Sequence, residues 1–294
     1  MHAYMIIAHN QFELLEKIIL SLDDKRNDIF IHIDAKVKNF DFNHFKNIAV
    51  HSKVIFTQER VNITWGDFSQ VKAEILLLKT AVENEDANKY YTYYHLISGA
   101  DLPIKSNDDI HSFFDEHQGK EFIHYTDNIV SESSLSRIRY YHLFRRHRNT
   151  FNKILGQIAL RIQKLIGIDR LKNTDIRVQK GCNWFSITDE FAKYIVDNLS
   201  EYKKILKYSY CCDEIFIQTI AESSRFRENL FMPECCNDHY ACVRLIDWKR
   251  GNPYVWQMDD YDSIISSPCM FARKFDLNVD KEIIEAILKY TDKN

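Results

Sequence analysis

Asp213 and Glu214 stand side by side just ahead of Ile215, Phe216, Ile217 and Ile220, whose spacing predicts the start of a helix. One carboxylate of such a pair can cap the helix while its neighbour faces a cleft, where a positioned carboxylate can take a proton from a hydroxyl. A second polar group, Ser98, Gly99 and Asp101, ends the apolar run that starts at Tyr94, and Pro103 fixes the exit. Open α/β sheets bind their ligands at such strand ends. Asp260 and Asp262 are spaced to hold a divalent cation, but they fall near the C-terminal end, away from any expected strand end of the first half. Cys235, Cys236, His239 and Cys242 offer zinc donors without the C-x-x-C pair that opens a tetrahedral site, so reduced structural thiols are expected there.

The elements that must position these groups are written as short apolar runs alternating with amphipathic ones. Residues 3–8, 28–34, 54–57 and 93–98 read as strands, and residues 12–22 and 67–82 as helices, the first with Leu14, Leu15, Ile18, Ile19 and Leu22 on one face. That alternation predicts an α/β fold with a mostly parallel central sheet flanked by helices, the layout of a nucleotide-binding half-domain. Seven glycines and four prolines in 294 residues predict a chain dense in regular elements. A net charge of −3 points to no generic partner. The absence of G-x-G-x-x-G and G-x-x-x-x-G-K-[ST] removes the main support for dinucleotide oxidoreductases and P-loop NTPases. No window reaches the roughly 20 apolar residues of a membrane span, and no basic stretch precedes the first strand, so no signal peptide is expected. All seven cysteines lie beyond residue 181, an odd number with two adjacent pairs, which argues against a disulfide scaffold and for a cytoplasmic protein.

Between residues 137 and 180 the composition turns basic, with twelve Lys or Arg against two Asp. Inside it, residues 151–171 have a helical period with Ile154, Leu155, Ile158, Ile162, Leu165 and Ile166 on one side. The pattern fits a helix packed on the sheet, or a basic amphipathic helix lying on an anionic membrane. Nucleic-acid binding has no reader motif to support it.

Four separated stretches, AYMIIAHNQFELLEKII, YHLISGADLPIKS, GCNWFSITDEFAKYIVDN with CCDEIFIQTI, and RLIDW with CMFARKFDLNVD, together resemble the core-2/I-branching β-1,6-N-acetylglucosaminyltransferase family, which includes the protein xylosyltransferases. The resemblance implies a GT-A type fold: one domain with a nucleotide-binding half (1–127), a basic helical insertion (128–180) and a catalytic and acceptor half (181–294). It implies an inverting transfer from a UDP-sugar donor, with N-acetylglucosamine as the expected sugar, to a saccharide hydroxyl in β linkage. Glu214 matches the general base of the family's S-P-D-E motif, although Cys211 and Cys212 replace its Ser and Pro. Lys274, in FARKFD, matches the lysine that meets the pyrophosphate without a metal, so no cofactor is expected. Its arginine partner is sought among Arg250, Arg244 and Arg273, in that order. His9, Asp34, Lys36, Trp65 and Asp101 are the further donor-binding candidates, and Asp127, Arg137, Trp184 and Trp248 the acceptor-binding ones, the two tryptophans being platforms on which sugars stack. The expected setting is bacterial surface-polysaccharide synthesis, with a lipid-linked saccharide as a possible acceptor and peripheral membrane contact through residues 151–171. Two other readings are a manganese-dependent transferase using Asp260 and Asp262, and a catalytically silent saccharide-binding protein.

Overall fold

The computed structural model describes all residues except 88, 145–148, 235, 236 and 294. In chain order the elements are β1 (His2–Ala8), α1 (Phe12–Ser21), β2 (Asn27–Ile33), α2 (Phe42–Asn47), β3 (Lys53–Phe56), α3 (Ser69–Val82), β4 (Tyr93–Ser98), β5 (Asp101–Pro103), α4 (Asn107–Glu116), β6 (Phe122–Ile123), α5 (Glu132–Arg139), α6 (Thr150–Leu165), β7 (Phe185–Thr188), α7 (Asp189–Leu206), α8 (Phe216–Glu222), β8 (Arg244–Ile246), α9 (Tyr261–Ile265), β9 (Phe271–Arg273) and α10 (Lys281–Lys293). Six strands form the main sheet in the order β3-β2-β1-β4-β7-β6. The first four are mutually parallel, and β7 runs antiparallel to both β4 and β6. A small second sheet, β5-β9-β8, sits at the carboxyl end of β4. The expected α/β architecture, a mostly parallel sheet with helices on both faces, is therefore the observed one.

Both faces of the sheet are buried, which explains the nearly unbroken apolar runs of its central strands. Along β1, Ala3 and Met5 face one side with Phe30, Tyr94 and Leu96, under α3, α7 and α8. Tyr4, Ile6 and Ala8 face the other side with Ile29, Ile31 and Ile97, under α1, α4 and α10. The period of two along each strand thus feeds two separate cores.

The basic segment folds differently from one expectation. The helix runs only to Leu165, because Gly167 takes φ +70° and the Ile168 N–H reaches back 2.9 Å to the Gln163 carbonyl, closing the helix end. Its apolar side is not packed on the sheet. Ile154, Ile158 and Ile162 are about half exposed, Phe151 is 68% exposed and Leu165 85%, and Gln163 is the buried residue among those described in the helix.

Candidate functional site

A cleft of about 520 Å³ opens beyond the carboxyl ends of β1, β2 and β4, the edge at which a parallel sheet exposes its loops. Ile7 and His9 enter it from β1, Asp34 and Lys36 from the turn after β2, and Ser98 from β4. The opposite wall comes from the second half of the chain: Asn183 and Trp184 ahead of β7, Asp213 and Glu214 ahead of α8, Trp248 after β8 and Arg273 on β9. Trp65, Gln70 and Glu74, in and before α3, close a third side.

Asp34 is locked before any ligand arrives. Its Oδ1 accepts from the Lys36 N–H at 2.8 Å and its Oδ2 from the Ile63 N–H at 3.3 Å, while the Lys36 ammonium sits 3.4 Å from Oδ2 and donates to the Ile63 carbonyl. Burial pushes the His9 imidazole below its ordinary range; Asp34 opposes the fall, and the charges of Lys36 and Lys274 add to it. Trp65 is 57% exposed, with its ring edge-on to Tyr210.

Glu214 lies in a single 3-10 turn, Cys212–Glu214, rather than in the helix that follows. Two glycines bring that turn into place. Gly66, at φ +73°, accepts from the Cys211 N–H through its carbonyl, and a Cβ there would meet the Tyr210 ring at 2.8 Å. Gly181 donates its N–H to the Glu214 carbonyl at 2.9 Å, and a Cβ would overlap the His124 carbonyl oxygen at 1.6 Å. The Glu214 carboxylate accepts from Arg137 Nη1 at 2.7 Å, with Lys180 Nζ at 3.6 Å. Beside it Asp213 accepts from Gln70 Nε2 at 3.0 Å, while its Oδ1 is sealed from solvent. Burial, then the Glu214 charge, push the Asp213 carboxyl up to about 6. Glu74 is buried behind it; burial and the Asp213 charge hold its carboxyl well above the ordinary range, with the Asn183 side chain opposing. Burial of this kind favours the protonated form of a carboxyl, which can donate a hydrogen bond.

His9, Asp34, Lys36, Trp65, Trp184, Glu214 and Trp248 thus converge on one cavity. Asp101 lies beneath it, buried, accepting from the Ser98 N–H at 2.7 Å and Oγ–H at 3.0 Å and pairing with Arg273 at 3.1 Å. Its side chain holds Arg273, whose guanidinium lies 4.2 Å from the Trp184 ring centroid. Lys274 does not line the cavity, although its charge reaches His9. Arg137 reaches the site as the ion-pair partner of Glu214, and Asp127 is exposed, its backbone carbonyl accepting from Gln179. Arg250 is elsewhere: it pairs with Asp247 and Asp260 and lies over Tyr254. Arg244 is buried in the core, where Nη1 and Nη2 donate to Ser186 and to the Leu96, Phe185 and Cys242 carbonyls. Of the three arginines weighed, Arg273 is the one in the cleft. Lys180, Gln70, Glu74 and Asn183 were not anticipated. For Glu74 a signal exists: it falls on the buried stripe of α3 with Val71, Ile75 and Leu78, where an acid has no structural reason to be.

A cleft over parallel strand ends, walled by tryptophans, cations and carboxylates, lies where open α/β sheets bind their ligands. The family model for Core-2/I-Branching enzyme matches residues 2–267, and the chain belongs to that family. Similar proteins include xylosyltransferase 2 of Rattus norvegicus (23% identical, 97% of this chain, 33% of the relative), xylosyltransferase sqv-6 of Caenorhabditis briggsae (25%, 87% and 32%) and xylosyltransferase 1 of Mus musculus (22%, 99% and 30%). The chain spans about a third of the length of the curated relatives it matches.

Proposed function

We propose that the chain is an inverting glycosyltransferase that moves a sugar from a UDP donor to a saccharide hydroxyl in β linkage without a metal. The observation that carries this reading is the convergence on one cleft of Glu214 with His9, Asp34, Lys36, Trp65, Trp184 and Trp248, which come from six separate stretches of sequence. The donor lies over the ends of β1 and β2, with Trp65 beside the uracil and Asp34 accepting from uridine hydroxyls. The acceptor sugar stacks on Trp184 and Trp248. Arg137 engages Oε2 of Glu214, which leaves Oε1 to take the acceptor's proton as its oxygen attacks the anomeric carbon. Lys274 and Arg273 meet the charge that grows on the departing pyrophosphate, a task fixed cations perform in a site shielded from water. Asp260 accepts from Arg250 at 2.7 Å and from the Gln257 N–H, outside the cleft, which favours this reading over a manganese site at Asp260 and Asp262. N-acetylglucosamine is the sugar we favour; the names of the similar proteins put xylose beside it as the first alternative.

The acceptor in this reading is lipid-linked, in bacterial surface-polysaccharide synthesis. Its support is α6, which turns Phe151, Ile154, Ile158, Ile162 and Leu165 to solvent amid a basic segment. No helix among the described residues is long and apolar enough to cross a membrane, so contact would be peripheral.

Calorimetric titration with UDP and a panel of UDP-sugars, each with EDTA and with manganese, tests the donor half. UDP binding that EDTA leaves intact and Lys274→Ala weakens is the expected result; no nucleotide binding in either condition would sink the reading. Glu214→Ala should keep UDP binding and lose transfer by roughly 10²–10⁴-fold. Glycan binding without turnover in both forms would instead identify a silent saccharide-binding protein.

A further inference from the structure

His124, Cys182, His239 and Cys242 meet at one edge of the cleft although 118 positions separate the first from the last in sequence. One nitrogen of each imidazole and the Cys182 sulfur lie within 4.8 Å of one another. The Cys242 sulfur is 3.4 Å from that of Cys182. The two imidazole rings stack at 4.3 Å. His124 is 2% exposed and Cys242 fully buried.

We infer that His124, Cys182, His239 and Cys242 form a site for a thiophilic divalent cation, with Zn²⁺ as the ion whose chemistry fits. Two thiolates and two imidazoles are a common zinc donor set, and such soft ligands discriminate against magnesium and calcium. With bonds of ~2.0–2.3 Å, the four donor atoms of a tetrahedral site lie roughly 3.3–3.8 Å apart. The sulfur pair already stands at 3.4 Å, the two imidazole nitrogens and the Cys182 sulfur have to draw in from within 4.8 Å, and Cys242 has to close on both imidazoles. Binding releases two thiol protons and takes imidazole lone pairs that now accept hydrogen bonds, His124 Nδ1 from the Cys182 N–H and His239 Nε2 from the Trp248 indole.

The ion would tie three segments together: the chain leaving β6 at His124, the loop before β7 at Cys182, and the 3-10 turn His239–Cys242 before β8. Two of these carry the tryptophan walls of the cleft. Trp184 lies two residues beyond Cys182, and Trp248 is bonded directly to His239. The site is therefore built into the tryptophan wall of the cleft, and loading it frees the Trp248 indole from His239 Nε2.

The test uses the full chain, purified with reductant, stripped with chelator and titrated with Zn²⁺ against a chromophoric chelator, then with Co²⁺. The expected result is one Zn²⁺ per chain, bound at least tenfold more weakly after Cys182→Ser or His124→Ala. Co²⁺ should give a thiolate charge-transfer band and the intense visible bands of a tetrahedral ion, both reduced by Cys242→Ser. Loading should also change tryptophan fluorescence, and Trp248→Phe should remove that change. A stoichiometry near zero, an octahedral Co²⁺ spectrum, affinity indifferent to Cys182 and His124, or a Cys182–Cys242 disulfide in the reduced protein would each overturn the inference. None of these readouts depends on sugar transfer, so the site and the proposed activity stand or fall separately.

Discussion

Asp213 should make the protein less stable and more useful, and Asp213→Asn separates the two effects. Its carboxyl is pushed from an ordinary 3.8 up to about 6 by burial and by the neighbouring Glu214 charge. Between those values the native state binds more protons than the unfolded chain, so stability is greatest below 3.8, falls as pH rises through about 6, and is flat above. At ~1.4 kcal/mol per pH unit the loss is about 3 kcal/mol, and because the side chain keeps some exposure, solvent screening brings it to about 1–3 kcal/mol. Asparagine cannot ionise, yet its amide oxygen can keep the hydrogen bond from Gln70. Urea denaturation followed by tryptophan fluorescence should find Asp213→Asn more stable than the parent by that amount at pH 8 and nearly equal to it at pH 4. Transfer should fall in the same variant, since the group it alters lines the cleft. A variant less stable than the parent at pH 8, or a difference that does not change from pH 4 to pH 8, would refute the reasoning.

Glu121 offers the same logic outside the site. It is fully buried, its carboxyl is raised by burial to about 7, and Thr188 donates to it through both N–H and Oγ–H. Glutamine reproduces the neutral acid's shape and bonds, so Glu121→Gln should gain about 2–3 kcal/mol at pH 8 and little at pH 4.5, read by denaturant midpoints. Gly181→Ala puts a methyl into the His124 carbonyl and should cost about 3 kcal/mol or more, with loss of transfer because the same residue anchors Glu214; an unchanged melting temperature would count against the packing described. Ile158→Glu with Ile162→Glu should abolish flotation on anionic vesicles while leaving UDP binding intact, and a parent protein that does not float would dispose of the membrane contact.

What the sequence made legible and what it hid divide along a physical line. The four parallel strands were readable because both sheet faces are buried, and their ends moved by no more than a residue: 28–34 became Asn27–Ile33, and 54–57 became Lys53–Phe56. Residues that end such strands, His9, Asp34 and Lys36, inherited that clarity. Arg273 did not, because its place depends on Asp101 pairing with Arg273 across β5 and β9, a register between strands of three residues that local pattern does not encode. Arg250 and Arg273 are the same residue type in neighbouring motifs; only the Asp247 and Asp260 carboxylates on one side and Asp101 on the other separate them. Periodicity showed that α6 has an apolar side but not what covers it. The cysteines illustrate the limit most directly. The sequence shows Cys235, Cys236, His239 and Cys242 without a C-x-x-C pair; Cys235 and Cys236 lie outside the described residues, while β6 pairs with β7 at Phe122 and Ser186, and that pairing brings His124 and Cys182 beside His239 and Cys242. A side-chain cluster assembled by strand pairing has no spacing for a motif to match, so it is read from the fold and not from the sequence.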